Sequence, residues 1–216
     1  MRVLLASTSP ARLMLLRQAG IEPETLAPAV DEDAVAADAE RGGPLRPEEL
    51  VLLLGRAKAA DVVGRIAGED PDFDGIVIGG DSMFALDGRV YGKPHTPEEA
   101  RRRWHGMRGR TGVLHSGHAV WRVRPGAAPV EATAVAAASV SFAADVTDQE
   151  IDAYVATGEP LFVAGAFTVD SLGGPFITRV EGDPSTVVGM SLSTLRRLAA
   201  ELGVTWTDLW NRTSAA

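Results

Sequence analysis

The sequence contains no cysteine, which excludes disulfides, thiolate metal sites, iron–sulfur clusters and a thiol nucleophile. It also has no long hydrophobic run: charge or glycine interrupts each one before the ~18 residues that a membrane-spanning helix requires. The apolar run at residues 3–6 is too short for the core of a signal peptide. These absences predict a cytoplasmic protein whose chemistry uses side-chain oxygen and nitrogen.

The sequence has fewer basic than acidic residues. The 29 acidic residues outnumber the 21 basic residues, for a net charge of −8. Such a balance argues against partners that are bound by phosphate neutralisation, namely nucleic acid polymers and anionic membranes, although it leaves room for a local basic pocket. The chain has 216 residues, of which 45% are hydrophobic. This is enough for one sizeable core, and we predict a single domain over residues 1–216.

Strand and helix patterns alternate along the chain, which predicts an α/β or α+β fold. A buried strand at residues 3–6 leads into a helix with Ser9 as N-cap, Pro10 at the first position and Gly20 at the end. The composition of residues 30–46 predicts a mobile loop. Further helices are predicted to start near residues 47, 97, 148 and 193, and strands at residues 76–78, 112–123, 130–142 and 176–180.

The turn between the first strand and the first helix could bind an anion. Ser7, Thr8 and Ser9 supply hydroxyls beside the backbone N–H groups of a helix N-terminus, and Arg12 adds a bidentate phosphate donor. The alternative is an ordinary helix cap followed by a surface arginine. The turn is not a P-loop, because the glycine spacing and the Gly-Lys-Ser/Thr ending are absent.

Asp81 follows Gly79 and Gly80 at the predicted end of the strand at residues 76–78. A carboxylate at the carboxyl edge of a sheet can hold a metal ion or accept a proton. The alternative is a turn-forming or helix-capping aspartate.

Lys93 lies between a glycine and a proline, where secondary structure gives little reason for a lysine. A hairpin turn predicted at Asp87 and Gly88 would return Lys93 to the neighbourhood of Asp81. The alternative is a solvated loop lysine.

Other catalytic arrangements have little support. No two of the four histidines have the helical i,i+4 spacing of a metal site, and we expect each to be a surface or strand-packing residue. The chain has no Gly-x-Ser-x-Gly motif and no credible Ser–His pair, which argues against a covalent nucleophile. Anion binding, a carboxylate and a lysine remain, and these groups suit metal-assisted phosphoanhydride chemistry.

Together these segments resemble the Maf family of nucleoside triphosphate pyrophosphatases. The resemblance covers nearly the whole chain and rests on residues 5–12, 31–32, 57–59, 78–82, 92–94, 98–100, 159–160, 164–167, 173–174, 181–185 and 187–190. It implies a two-lobed, Maf/ITPase-like α/β fold with a mixed sheet, flanking helices and a cleft between the lobes. It also implies a homodimer that hydrolyses a nucleoside triphosphate to the monophosphate and pyrophosphate with a divalent cation, Mg²⁺ or Mn²⁺.

The resemblance also implies roles for individual residues. Asp81 would be the general base that activates water, with Lys93 beside it in the catalytic site. Glu32 and Asp81 would hold the metal ion. The phosphate site would be lined by Ser7, Ser9, Arg12, Lys58 and Lys93.

Three positions associated with base selection depart from the thymidine/uridine branch of the family. Ala11, Ser82 and Asp170 stand where that branch has arginine, threonine and glutamine. These differences predict only weak discrimination in favour of dTTP or UTP. Asp170 is closer to the 7-methyl-GTP branch and could accept hydrogen bonds from a base such as guanine, but it leaves the preferred base open.

Two other function classes remain open from the sequence. A nucleotidyltransferase could hold a triphosphate on a similar serine-rich turn. We would expect such an enzyme to have a glycine-dense loop and a second paired aspartate, and neither is evident in this sequence. A non-catalytic nucleotide-binding regulator of cell division is the other class. The presence of Ser7, Arg12, Asp81 and Lys93 favours an active enzyme.

Overall fold

Residues 1–212, which the computed structural model describes, contain both strands and helices. The strands are β1 (Arg2–Ala6), β2 (Glu24–Thr25), β3 (Gly75–Leu86), β4 (Arg89–Tyr91), β5 (Thr111–Val123), β6 (Val130–Phe142) and β7 (Ile177–Glu181). The α-helices are α1 (Pro10–Gln18), α2 (Glu32–Ala39), α3 (Pro47–Glu69), α4 (Pro97–Met107), α5 (Asp148–Ala156), α6 (Pro184–Val188) and α7 (Leu192–Glu201). Within this range, no helix combines the length and apolar composition that a membrane crossing demands.

The strands form one mixed sheet in the order β2-β1-β3-β5-β6-β7, with β4 paired to β3. Strand β1 runs parallel to β2 and β3, whereas β4 and β7 run antiparallel to their partners. This arrangement confirms the predicted α/β class with a mixed sheet and flanking helices.

The chain divides into two compact units, each built from separate stretches of sequence. Among the described residues, the first unit comprises residues 1–81, 116–136 and 189–212, and the second comprises residues 82–115 and 137–188. Strands β3, β5 and β6 supply residues to both units. The cleft expected between two lobes stays a prediction.

Each unit has its own hydrophobic core. In the first unit, Val62, Val63 and Ile66 recur at helical spacing on α3 and pack in one cluster with Leu4 and Val77. In the second unit, Trp104 of α4 makes edge-to-face contacts with three other aromatic rings, at 5.4–5.6 Å between centroids. The Trp104 indole N–H also donates to a buried backbone carbonyl at 2.8 Å, so the polar atom of this large side chain is satisfied.

The prediction of a mobile loop over residues 30–46 was wrong, because α2 occupies much of that segment. The Asp31 side chain accepts a hydrogen bond from the Ala34 amide at 3.0 Å and caps the helix. The alanines that follow are the strongest helix formers, and Glu32 and Asp33 suit the positive end of the helix dipole. The helix fixes the backbone of Glu32.

The predicted strand end before Asp81 was also wrong, since β3 continues through Asp81 to Leu86. Gly79 is required for a different reason. A Cβ atom at Gly79 would lie 2.7 Å from both the Ala59 Cβ and the Gly55 carbonyl oxygen of α3. The glycine therefore allows the helix to approach the strand closely rather than ending the strand.

The hairpin predicted after β3 is confirmed. Leu86 pairs with Arg89, and the two residues between them, Asp87 and Gly88, both have positive φ, at 50° and 73°. These values are those of a tight hairpin turn of the type that favours Asp-Gly. The turn leads into β4, which ends at Tyr91, two residues before Lys93.

Candidate active site

Arg12 is a buried cation at the turn between β1 and α1. Ser9 caps α1, and its hydroxyl accepts from the Arg12 amide at 3.5 Å. The Arg12 side chain donates from Nη1 to the Ser7 hydroxyl at 3.3 Å and from Nε to the Gly189 carbonyl at 3.0 Å. Because Ser7 and Arg12 are both buried, the alternative of an exposed surface arginine is wrong.

Two opposing effects act on the Arg12 guanidinium. Burial is the larger effect and lowers its pKa, whereas the negative charges of Asp81 and Glu32 raise it. The net result is an Arg12 pKa below its ordinary value. The buried Arg12 guanidinium therefore provides a local positive charge, which interacts with Asp81 and Glu32, in a protein of negative net charge.

Lys58 links two carboxylates in the first unit. Its Nζ lies 2.8 Å from Glu32 Oε2 and 2.8 Å from Asp81 Oδ1. The side chains of Lys58 and Asp81 are only 8% and 12% exposed, whereas that of Glu32 is 48% exposed. Lys58 comes from the buried side of α3, Asp81 from the middle of β3 and Glu32 from the first turn of α2. The structure thus gathers Ser7, Arg12, Glu32, Lys58 and Asp81 into one unit.

Ser116 and His118 are buried residues of β5 that no sequence motif assigned to the site. The buried Ser116 hydroxyl lies 3.1 Å from the Gly189 carbonyl, which also accepts from Arg12, and 3.4 Å from the Asp81 carbonyl. His118 is fully buried, and its Nε2 accepts from the Ser191 amide at 2.8 Å. Their two-residue spacing on β5 puts both side chains on the same face of the strand, and this alternation was the available sequence signal.

The remaining predicted residues are arranged as follows. Ala11 is half-buried in the first turn of α1. Ser82, Lys93 and Asp170 belong to the second unit, where Lys93 and Asp170 are exposed. The loop that carries Lys93 is fixed by backbone bonds from Gly165 N–H to the Gly92 carbonyl and from His95 N–H to the Leu161 carbonyl. That these three residues join the group around Asp81 stays a prediction.

Glu159 is the centre of a hydrogen-bond cluster in the second unit. Its carboxylate accepts from the hydroxyls of Tyr154, Thr168 and Ser171 at 3.0, 2.5 and 2.7 Å. It also accepts from the backbone amides of Leu172 and Gly173 at 3.4 and 3.3 Å. Burial opposes ionisation of Glu159, but the hydrogen bonds together outweigh burial and hold its pKa below the ordinary value of 4.5.

The donors available for a metal ion are few. Among residues 1–212, no three or more aspartate, glutamate or histidine side chains are grouped closely enough to form a metal site. Glu32 and Asp81 nevertheless converge on one cationic atom, Lys58 Nζ. Two carboxylates fit Mg²⁺ or Mn²⁺, which prefer oxygen ligands, and Mg²⁺ is often held by one or two carboxylates together with substrate phosphates.

Comparisons with known proteins identify the family of the chain. The family model described as "Maf-like protein" matches residues 2–202. A nucleoside triphosphate pyrophosphatase of Leifsonia xyli is 62% identical over 98% of each chain. One of Salinispora tropica is 53% identical over 98% of this chain and 88% of the relative.

A solved structure of a nucleoside-triphosphatase, dITP/XTP pyrophosphatase, from Mycobacterium abscessus matches 94% of each chain at 14% identity. Its TM-score of 0.35 is too low to carry an argument. The family match over nearly the whole sequence and the close relatives are decisive: the chain belongs to the Maf family.

Proposed function

We propose that this Maf protein hydrolyses nucleoside triphosphates to the monophosphate and pyrophosphate. The observation that carries the proposal is the buried group of Arg12, Lys58 and Asp81, which combines two cations with a carboxylate next to the β1–α1 turn. The two cations can neutralise the charge of a polyphosphate, and the carboxylate can accept a proton from an attacking water molecule. The names of the close relatives support the same reaction.

In the proposed reaction, Asp81 accepts a proton from a water molecule as the water oxygen attacks the α-phosphorus. The bond between the α-phosphorus and the bridging oxygen breaks, and pyrophosphate leaves with the electron pair. The products are a nucleoside monophosphate and pyrophosphate. Lys58, at 2.8 Å from both Asp81 and Glu32, reduces the repulsion between these carboxylates and the incoming phosphates.

Ser7, Ser9, Arg12, Lys58 and Lys93 are the proposed phosphate ligands. The Arg12 guanidinium is anchored by the Ser7 hydroxyl and the Gly189 carbonyl, so it loses little conformational entropy when it binds a phosphate.

Glu32 and Asp81 are the proposed ligands of a divalent cation, Mg²⁺ or Mn²⁺. When bound, the cation would neutralise phosphate charge and polarise the phosphoryl group under attack. Lys58 now contacts both carboxylates, so its ammonium group must give up at least part of these contacts when the cation binds.

Ala11, Ser82 and Asp170 are the proposed determinants of base choice. With these residues we expect only weak preference for dTTP or UTP, and a hundredfold preference, about 2.7 kcal/mol of differential transition-state binding, would contradict their role. A homodimer in the cytoplasm is also part of the proposal.

The test is product analysis across common and modified nucleoside triphosphates with Mg²⁺ or Mn²⁺. Monophosphate and pyrophosphate in equal amounts are expected. Diphosphate and orthophosphate would contradict the proposal, transfer of the nucleotide to an acceptor would favour a nucleotidyltransferase, and binding without turnover would favour a regulator. Asp81→Asn, prepared in parallel, controls for contaminating hydrolases.

A further inference from the structure

We infer that Ser116 and His118 are positioning residues that orient Arg12 by anchoring residues 189–191. The inference rests on the proposed function in that Arg12 is taken to bind phosphate. Neither residue was singled out by the sequence motifs, and both are buried on one face of β5.

The two contacts form a register between β5 and residues 189–191. Ser116 donates to the carbonyl of Gly189, and His118 accepts from the amide of Ser191. The partners are 73 positions apart in both contacts, so residues i and i+2 of β5 meet residues i and i+2 of the other segment. Two side chains therefore fix the position of this short segment along the strand.

The first contact acts directly on Arg12. The Gly189 carbonyl accepts from Ser116 Oγ at 3.1 Å and from Arg12 Nε at 3.0 Å, and a carbonyl oxygen has two lone pairs for two such donors. Gly189 has a φ of 127°, a conformation that residues with a Cβ rarely adopt. A displacement of this carbonyl would change the plane of the Arg12 guanidinium.

The second contact satisfies a helix end. Ser191 is the buried N-cap of α7, and an N-cap amide has no acceptor within its own helix. His118 supplies that acceptor through Nε2, which requires the neutral imidazole with its proton on Nδ1. Loss of the acceptor would remove a hydrogen bond that holds Ser191, two residues from the carbonyl that holds Arg12.

The experiment compares His118→Leu, which removes the acceptor, with His118→Gln, whose amide oxygen can replace Nε2. Binding of inorganic tripolyphosphate is measured by calorimetry, and KM and kcat are measured with a nucleoside triphosphate. We expect His118→Leu to weaken tripolyphosphate binding and raise KM by about tenfold while kcat falls less, and His118→Gln to stay within about threefold of wild type. Ser116→Ala should act in the same direction as His118→Leu.

The decisive step repeats His118→Leu in an Arg12→Ala background. If His118 acts through Arg12, its substitution there should change tripolyphosphate affinity by less than about twofold. His115→Leu, on the same strand, is the matched control and should leave affinity unchanged. Urea unfolding identifies variants that fail to fold, in which case Ser116→Ala replaces His118→Leu in the cycle.

An equal loss from His118→Leu with and without Arg12 would overturn the inference. Failure of the wild type to bind tripolyphosphate would overturn it as well. The proposed function fails separately, if the wild type binds tripolyphosphate but does not convert any triphosphate to monophosphate and pyrophosphate.

Discussion

Asp81 in the first unit and Glu159 in the second are two carboxylates that the fold holds by different kinds of partner. Asp81 pairs with the ammonium group of Lys58, a single flexible cation that also contacts Glu32. Glu159 accepts from three hydroxyls and two backbone amides within residues 154–173. One carboxylate is balanced by charge, and the other is surrounded by neutral donors.

We propose that this difference separates a reactive carboxylate from a structural one. A lysine side chain has several rotatable bonds, and a movement of Lys58 toward a bound phosphate would release Asp81 for the proposed reaction. Glu159 accepts from five donors, and a well-satisfied polar network of this kind rigidifies the segment that supplies it. We therefore assign Asp81 to the reaction and Glu159 to the stability of the segment that carries Asp170.

The largest effect is expected from Asp81→Asn. Asparagine retains the size of the side chain but cannot accept a proton from water, so kcat should fall by about 10²–10⁴-fold. Calorimetry with a non-hydrolysable triphosphate should show that much of the affinity remains. Retention of more than a tenth of wild-type turnover, less than about 1.4 kcal/mol of barrier, would contradict the role of Asp81.

Lys58→Met should destabilise the first unit. It leaves the buried Asp81 carboxylate without its cation, and the free energy of unfolding at pH 7 should fall by about 2–4 kcal/mol, since Glu32 is half exposed and contributes little. Chemical denaturation measures the loss. The double variant Lys58→Met/Asp81→Asn should recover part of it, and strictly additive losses would show that the two side chains are not coupled.

Glu159→Gln should affect stability and leave chemistry nearly intact. The amide cannot accept from all five donors, and the free energy of unfolding should fall by about 1–2 kcal/mol. We expect kcat to stay within about threefold of wild type at temperatures where the variant is folded. A fall in kcat as large as that of Asp81→Asn would remove the distinction between the two carboxylates.

The smallest effect is the pH dependence of that stability difference. Because the pKa of folded Glu159 is below 4.5, its ionised form stabilises the fold above that pH, and this contribution is lost as the pH falls through the folded pKa. Glutamine does not titrate. The gap in unfolding free energy between wild type and Glu159→Gln should therefore be full at pH 7 and narrow below about pH 4.5. A difference in unfolding free energy that widens in acid would contradict the lowered pKa of Glu159.

The sequence predicted elements whose ends carry local signals. Thr147 and Glu150 form the expected capping box of α5, and Thr96 caps α4. The prediction was wrong at α2, where the acidic and small residues indicated a loop although Asp31 caps a helix. The prediction that the strand ends near Gly79 was also wrong, because this glycine instead allows the close approach of α3 to β3. Local patterns do not contain that long-range packing.

The sequence indicated individual residues of the candidate site, but not the contacts between them. The serine-rich turn, Arg12 and Asp81 had their own sequence signals, and the family resemblance added Glu32 and Lys58. That Lys58 contacts both carboxylates depends on how α2, α3 and β3 meet. The Ser116 and His118 contacts span 73 residues, so no local pattern specifies them.

The most direct test of the account is hydrolysis of a nucleoside triphosphate in ¹⁸O-labelled water, followed by mass spectrometry of both products. Attack of water on the α-phosphorus, as assigned to the site around Asp81, places one labelled oxygen in the nucleoside monophosphate and none in pyrophosphate. Label in pyrophosphate would mean attack on the β-phosphorus and would contradict the account.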